Sequence, residues 1–111
     1  MDAGLQLYIR EAGRVLTLSA RAEQALVRRI RRGDLTARDE LVRSHLHLVP
    51  RIARAYEDKG LSLSELIEQG NLGLIRAAEK FEDSSEVRFS SYACRWIRRA
   101  VRRSLVAAKA R

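Results

Sequence analysis

Proline occurs once in the 111 residues, cysteine once, and aromatic residues make up only 5%. With one proline, six glycines and few β-branched residues, the chain has few helix breakers and reads as all-α. The single cysteine, Cys94, has no partner for an internal disulfide, which fits a reducing, cytoplasmic setting and leaves it a small, partly buried thiol. No run of about 18 apolar residues exists, so no membrane span is expected. No apolar stretch follows the start, so no signal peptide is expected either. Ser/His/Asp groupings, paired carboxylates, phosphate loops and internal repeats are all missing. Nothing points to an enzyme, and neither a metal nor a cofactor is expected. His45 and His47 are two apart, whereas a helix aligns metal ligands four apart.

Acid is also missing from the last quarter. From Arg88 onward the charges are Arg88, Arg95, Arg98, Arg99, Arg102, Arg103, Lys109 and Arg111, with no carboxylate. Removing these eight from the 22 basic residues leaves 14 against 14 acidic ones, so the whole net charge of +8 sits in this segment. The scarce aromatics gather at its start, as Phe81, Phe89, Tyr92 and Trp96. A basic face beside flat rings suits single-stranded nucleic acid, which offers phosphates to neutralise and bases to stack on. The same features also describe a solvated basic helix with an aromatic core.

Taken in order, Leu5, Tyr8, Ile9 and Ala12 share a face of a first helix over Asp2 to Ala12, which Gly13 ends. Ser19 caps a second, running to about Arg32 with Ala22, Ala25, Leu26 and Ile30 inward. Its end, RRIRRGD, puts cations where the helix dipole favours them. Asp34 caps a long pattern from Leu35 to Tyr56, which Pro50 should kink by removing the bond to the Leu46 carbonyl. Ser62 and Glu65 form a capping box before a helix over about Leu63 to Lys80, burying Leu66, Ile67, Leu74, Ala77, Ala78 and Phe81. Gly70 and Gly73 inside it predict close approach of another helix. The polar start, with Glu65, Glu68, Gln69 and Asn71, is either a solvated face or a surface for a basic partner. Ser90 caps the last helix, where Ala93, Ile97, Ala100, Val101, Leu105 and Ala108 form the buried stripe. Tyr92, Trp96, Arg99 and Arg103 run down one flank; Arg95, Arg98 and Arg102 run down another. The expectation is a compact bundle of about five helices in one domain, residues 1–111.

Three stretches together, LQLYIREAGRV, ELIEQGNLGLIRAAEKF and VRFSSYACRWIRRAV, resemble the sigma-seventy family of bacterial transcription initiation factors, nearest its primary and stationary-phase types. The resemblance covers nearly the whole chain. It implies that residues 1–18 are the helix and link of region one-point-two, and 19–111 the helical domain two. It implies core RNA polymerase as partner, with Glu65, Leu66, Glu68, Gln69 and Asn71 docking on the clamp coiled coil of the largest subunit. It also implies recognition and melting of the promoter minus-ten element as non-template single strand. On that reading Phe81, Glu82, Phe89 and Tyr92 capture a flipped adenine, with Arg88 and Ser91 beside them. Arg95, Trp96, Arg98, Arg99, Arg102 and Arg103 lie along the upstream duplex, His45 helps read the single strand, and Tyr8, Ile9 and Arg10 hold downstream bases. The family further implies an anti-sigma factor as a candidate partner.

The departures are as specific as the matches. The family's tryptophan pair is Arg95–Trp96 here, and the aromatic before Ser91 is Val87. Its basic-glycine turn is Ser84, Ser85 and Glu86, placing a carboxylate near the DNA path. Arg99 stands for a glutamine, Arg102 for a small polar residue and His45 for an asparagine. These changes predict altered minus-ten preference and weaker melting. The chain stops where the family continues, so a fragment and a natural short form are both open. Two other readings stay open: a sigma mimic that binds the clamp helices and regulates without melting, and a general basic nucleic-acid binder.

Overall fold

The computed structural model describes residues 18–82 and 86–110. The expected first helix, with Tyr8, Ile9 and Arg10, lies outside the described residues, as do Ser84 and Ser85. Among the described residues the chain is five helices without a strand: α1 (Ala20–Arg31), α2 (Leu35–Arg43), α3 (Leu48–Arg54), α4 (Leu63–Lys80) and α5 (Phe89–Lys109).

Local chemistry starts three of them as expected. The Ser19 hydroxyl accepts from the Ala22 amide at 3.1 Å. The Asp34 carboxylate accepts from the Ala37 amide at 3.1 Å. Ser62 and Glu65 close a reciprocal capping box at α4, with Glu65 N–H donating to the Ser62 hydroxyl at 3.1 Å. Between α3 and α4 the chain turns through two left-handed residues, Asp58 (φ 61°) and Gly60 (φ 126°).

The long pattern from Leu35 to Tyr56 is not one kinked helix. It breaks into α2 and α3 at a turn over 44–47, before the proline. Pro50 then stands in the first turn of α3, where an amide would have no partner inside the helix, so its missing N–H leaves no gap in the ladder. The turn also changes the relation of His45 and His47, which an unbroken helix would set on different faces: their rings stack 6.3 Å apart at 24°.

The core lies between α4 and α5, with α1, α2 and α3 packed around that pair. Leu66, Leu74, Ala77, Phe89, Ala93, Ile97 and Val101 are fully enclosed. Both glycines of α4 admit close approach. A Cβ on Gly73 would lie 2.8 Å from the Trp96 carbonyl oxygen and 2.9 Å from the Ala100 Cβ. One on Gly70 would lie 2.8 Å from Val49 Cγ1.

α1 differs from expectation in its inward face. Ala25 is exposed, and Glu23 and Val27 join Leu26 inside. The start of α5 differs for a related reason. Ser90 does not cap it: the helix begins at Phe89, and Arg88 at the cap position makes no side-chain capping bond. The acceptor comes from α1. Glu23, 1% exposed, takes the Phe89 amide at 3.0 Å and the Arg88 Nε at 3.3 Å. Arg88 also donates to the Leu18 carbonyl at 2.8 Å. A buried carboxylate is tolerated here because it is paired, hydrogen-bonded and set at a helix N-terminus.

Candidate nucleic-acid interface

The four rings at the start of α5 form one contact chain. Phe81 meets Phe89 at 5.3 Å and Tyr92 at 5.0 Å, and Tyr92 meets Trp96 at 6.0 Å between centroids. They are not equivalent. Phe81 and Phe89 are 2% and 0% exposed and form the floor, whereas Tyr92 and Trp96 are half-buried and present a face to solvent. In this conformation a base can reach only the second pair. Tyr92, Arg95, Trp96 and Arg99 line a shallow concavity of about 250 Å³. The Arg99 guanidinium sits 5.7 Å from the Trp96 ring centre, so cation and ring share one face.

The next turns of α5 carry charge without rings. Arg95, Arg98, Arg99, Arg102, Arg103 and Val106 border an open concavity of about 560 Å³ with no carboxylate in its lining. Ser91, Arg95, Arg98, Arg99, Arg102 and Arg103 are all exposed. Periodicity therefore placed these arginines correctly on the surface.

Other sequence candidates have structural duties. Arg88 is tied to Glu23 and Leu18. Glu82 is exposed and pairs with Arg31 at 3.4 Å. His45 is 7% exposed, donates from Nδ1 to the Leu41 carbonyl at 2.8 Å, and meets the Phe89 ring edge-on at 4.8 Å. Only a protonated Nδ1 can bond a carbonyl, which fixes the tautomer. Burial pushes the His45 pKa below its ordinary value, against the opposing effects of the Leu41 bond and the Glu23 charge. Burial, with Arg51 nearby, does the same to His47. His45 thus supports the aromatic floor from behind.

Further along the α4–α5 pair, Leu61, Glu65, Glu68, Gln69, Ser104 and Ala107 line another concavity of about 250 Å³. The expected docking residues divide here. Glu68 is exposed and Gln69 and Asn71 are half-buried, but Leu66 is fully buried and cannot touch a partner. Glu65 is exposed, and its carboxylate is engaged with Ser62. The apolar residue open to solvent on this helix is Leu72, 45% exposed, one turn beyond Glu68 and Gln69. The full apolar stripe of α4 would have flagged Leu72 as the residue outside it.

Tyr56 is the other omission. Its hydroxyl accepts from Arg102 Nε at 2.9 Å, with Lys59 Nζ 5.7 Å from its ring centre. Nothing in the spacing of a residue 46 positions from its partner signals such a contact.

Comparison with known proteins gives consistent matches. Residues 41–111 match the Sigma-70 region 2 family and residues 4–40 match Sigma-70 factor, region 1.2. RNA polymerase sigma factor RpoS of Coxiella burnetii (strain RSA 493 / Nine Mile phase I) is 44% identical over 101 residues, covering 91% of this chain and 29% of that protein. The chain thus spans under a third of this relative's length.

Proposed function

Because the chain belongs to the sigma-70 family, we propose that it acts by binding and not by catalysis, as the part of a cytoplasmic initiation factor that joins core RNA polymerase to a promoter. In this reading the Glu68–Gln69–Leu72 face of α4 docks on the clamp coiled coil of the largest subunit, with Glu65 and Asn71 at its edge. Tyr92 and Trp96 hold bases of the minus-ten non-template strand, and the arginines of α5 follow the upstream phosphates. No described helix is long and apolar enough to cross a membrane.

The observation that carries this reading is the shared face of Tyr92, Trp96 and Arg99, where rings stand open beside cations at the head of an acid-free helix. Opening a base costs a few kcal/mol, and each stacked base returns about 1–3 kcal/mol. Capture therefore melts a strand without ATP only if several bases are held. With two rings open, the melting strength is modest, which favours one second reading: a mimic that occupies the clamp without opening promoters.

The test is binding of the 111-residue chain to core polymerase, then to a TATAAT-like non-template oligonucleotide in that complex. The Glu68→Ala, Gln69→Ala double variant should lose polymerase binding. Tyr92→Ala should keep it and lose strand preference. Glu65 is the poorer probe, because its substitution also uncaps α4. A well-folded chain that does not bind core polymerase would sink the reading. Polymerase binding with no strand preference would establish the mimic.

A further inference from the structure

We propose that the basic track of α5 continues onto the turn between α3 and α4, where Tyr56 holds Arg102 and the pair Arg102–Lys59 grips a phosphodiester of duplex DNA. This rests on the nucleic-acid reading above and adds a contact surface to it.

Tyr56 follows α3, and Lys59 lies in the turn with Asp58 and Gly60 at positive φ. The Tyr56 hydroxyl accepts from Arg102 Nε at 2.9 Å, and the Arg102 guanidinium carbon lies 5.9 Å from the ring centre. Lys59 Nζ lies 5.7 Å from the same centre. Two cations thus converge on one ring, beside a concavity already lined by Arg95, Arg98, Arg99 and Arg103. The acids of the same turn, Glu57 and Asp58, are exposed and form no ion pair with either cation. Like charges brought together without a carboxylate repel, and an anion placed between them relieves that repulsion.

The chemistry selects a phosphate over a base. Arg102 meets Tyr56 at its hydroxyl end and Lys59 Nζ lies 5.7 Å from the ring centre, so what this corner offers is cations. With its Nε committed to Tyr56, Arg102 keeps both terminal amino groups for an end-on, two-point contact with phosphate oxygens. No exposed ring lines this concavity, so the duplex backbone fits it better than an unstacked strand. Tyr56 is accordingly a positioning residue that acts through Arg102, and Lys59 is a direct contact.

The test measures binding of the 111-residue chain to a mixed-sequence duplex and to a single strand over a range of salt. The proteins are the wild type, Lys59→Gln, Tyr56→Phe, Arg102→Gln and the Tyr56→Phe, Arg102→Gln pair. Lys59→Gln should lower the duplex salt slope by about 0.9 and leave single-strand binding unchanged. Tyr56→Phe should weaken duplex binding roughly threefold to tenfold alone, and not at all once Arg102 is gone, since coupled residues do not add. Additive losses would show that Tyr56 does not act through Arg102 and would overturn the proposal. Wild-type duplex binding that none of the variants alters would overturn it while leaving the nucleic-acid reading intact. Wild type that binds neither probe, alone or in complex with core polymerase, would sink both.

Discussion

The two halves of α5 contain similar residue types and use them in opposite ways. At the start of the helix, ahead of the exposed Arg95, a buried carboxylate from another helix and packed rings hold it. Glu23 reaches from α1 to hold the Phe89 amide and Arg88, while His45 and Phe81 close on Phe89 from two other sides. In the second half, charge is exposed and nothing crosses over it. Arg98, Arg99, Arg102 and Arg103 face solvent, and the contact reaching them from another element is Tyr56. A helix can be anchored at one end and left open at the other, and here the open rings, Tyr92 and Trp96, stand at the border. The first half should therefore govern stability and the second affinity. Substitutions can test that division.

The largest effect is expected at Glu23. Glu23→Ala leaves a buried helix-start amide and the exposed Arg88 without their acceptor, at about 3 kcal/mol. Urea unfolding should show a lower midpoint at unchanged slope, and Glu23→Gln, which keeps one acceptor, should lose less. A Glu23→Ala loss within about 0.5 kcal/mol, the range of ordinary surface changes, would end the view of an anchored end. Gly73→Ala comes next. The added methyl meets a backbone carbonyl at 2.8 Å, which cannot rotate away. Overpacking should outweigh the better helix propensity and leave the protein about 1–2 kcal/mol less stable. Thermal unfolding of Gly73→Ala beside Gly70→Ala sharpens this, since Gly70 faces a valine side chain first and should be milder.

Trp96→Ala crosses the border. It should reduce single-strand affinity by about 1–3 kcal/mol, roughly fivefold to over a hundredfold, with a smaller fractional loss for duplex. If both probes weaken equally, the ring is packing and not a platform. The smallest effect is in pH. Burial lowers the His45 pKa below its ordinary 6.5, so the unfolded chain binds the proton more readily than the folded one. The corresponding stability is fully present above about pH 6.5 and falls as pH drops below that value toward the lower folded pKa. His47 contributes in the same direction. Stability measured from pH 7.5 to 5.5 should decline, and His45→Gln should flatten the slope. An unchanged slope would remove His45 from the anchored end.

Much of this was legible in the residues. Ser19, Asp34 and the Ser62–Glu65 box bond amides three positions on, so their chemistry is complete within one turn and needs no fold. The limits of α4 follow from periodicity alone, as do the exposure of the arginines and four of the six stripe residues of α5; Ala100 and Ala108 are only half-buried. The two glycines of α4 announced a close approach without saying to what.

The rest depended on residues far apart in sequence. Glu23 looks like an ordinary first-turn acid until Phe89, 66 positions away, is set against it, and only then does it replace Ser90 as the cap. Pro50 reads as a helix breaker, but the turn at 44–47 had already ended the helix, so the proline stands in the first turn of α3. Phe81, Phe89, Tyr92 and Trp96 are one aromatic cluster in sequence. Packing divides them: His45 and Phe81 close on Phe89, while Tyr92 and Trp96 stay half-buried. Residue type and spacing determined the all-α class, three of the helix starts, the charge segregation and the family. Which charge is buried, which ring is open and which cations meet at Tyr56 are long-range choices, decided when the helices excluded water from between them.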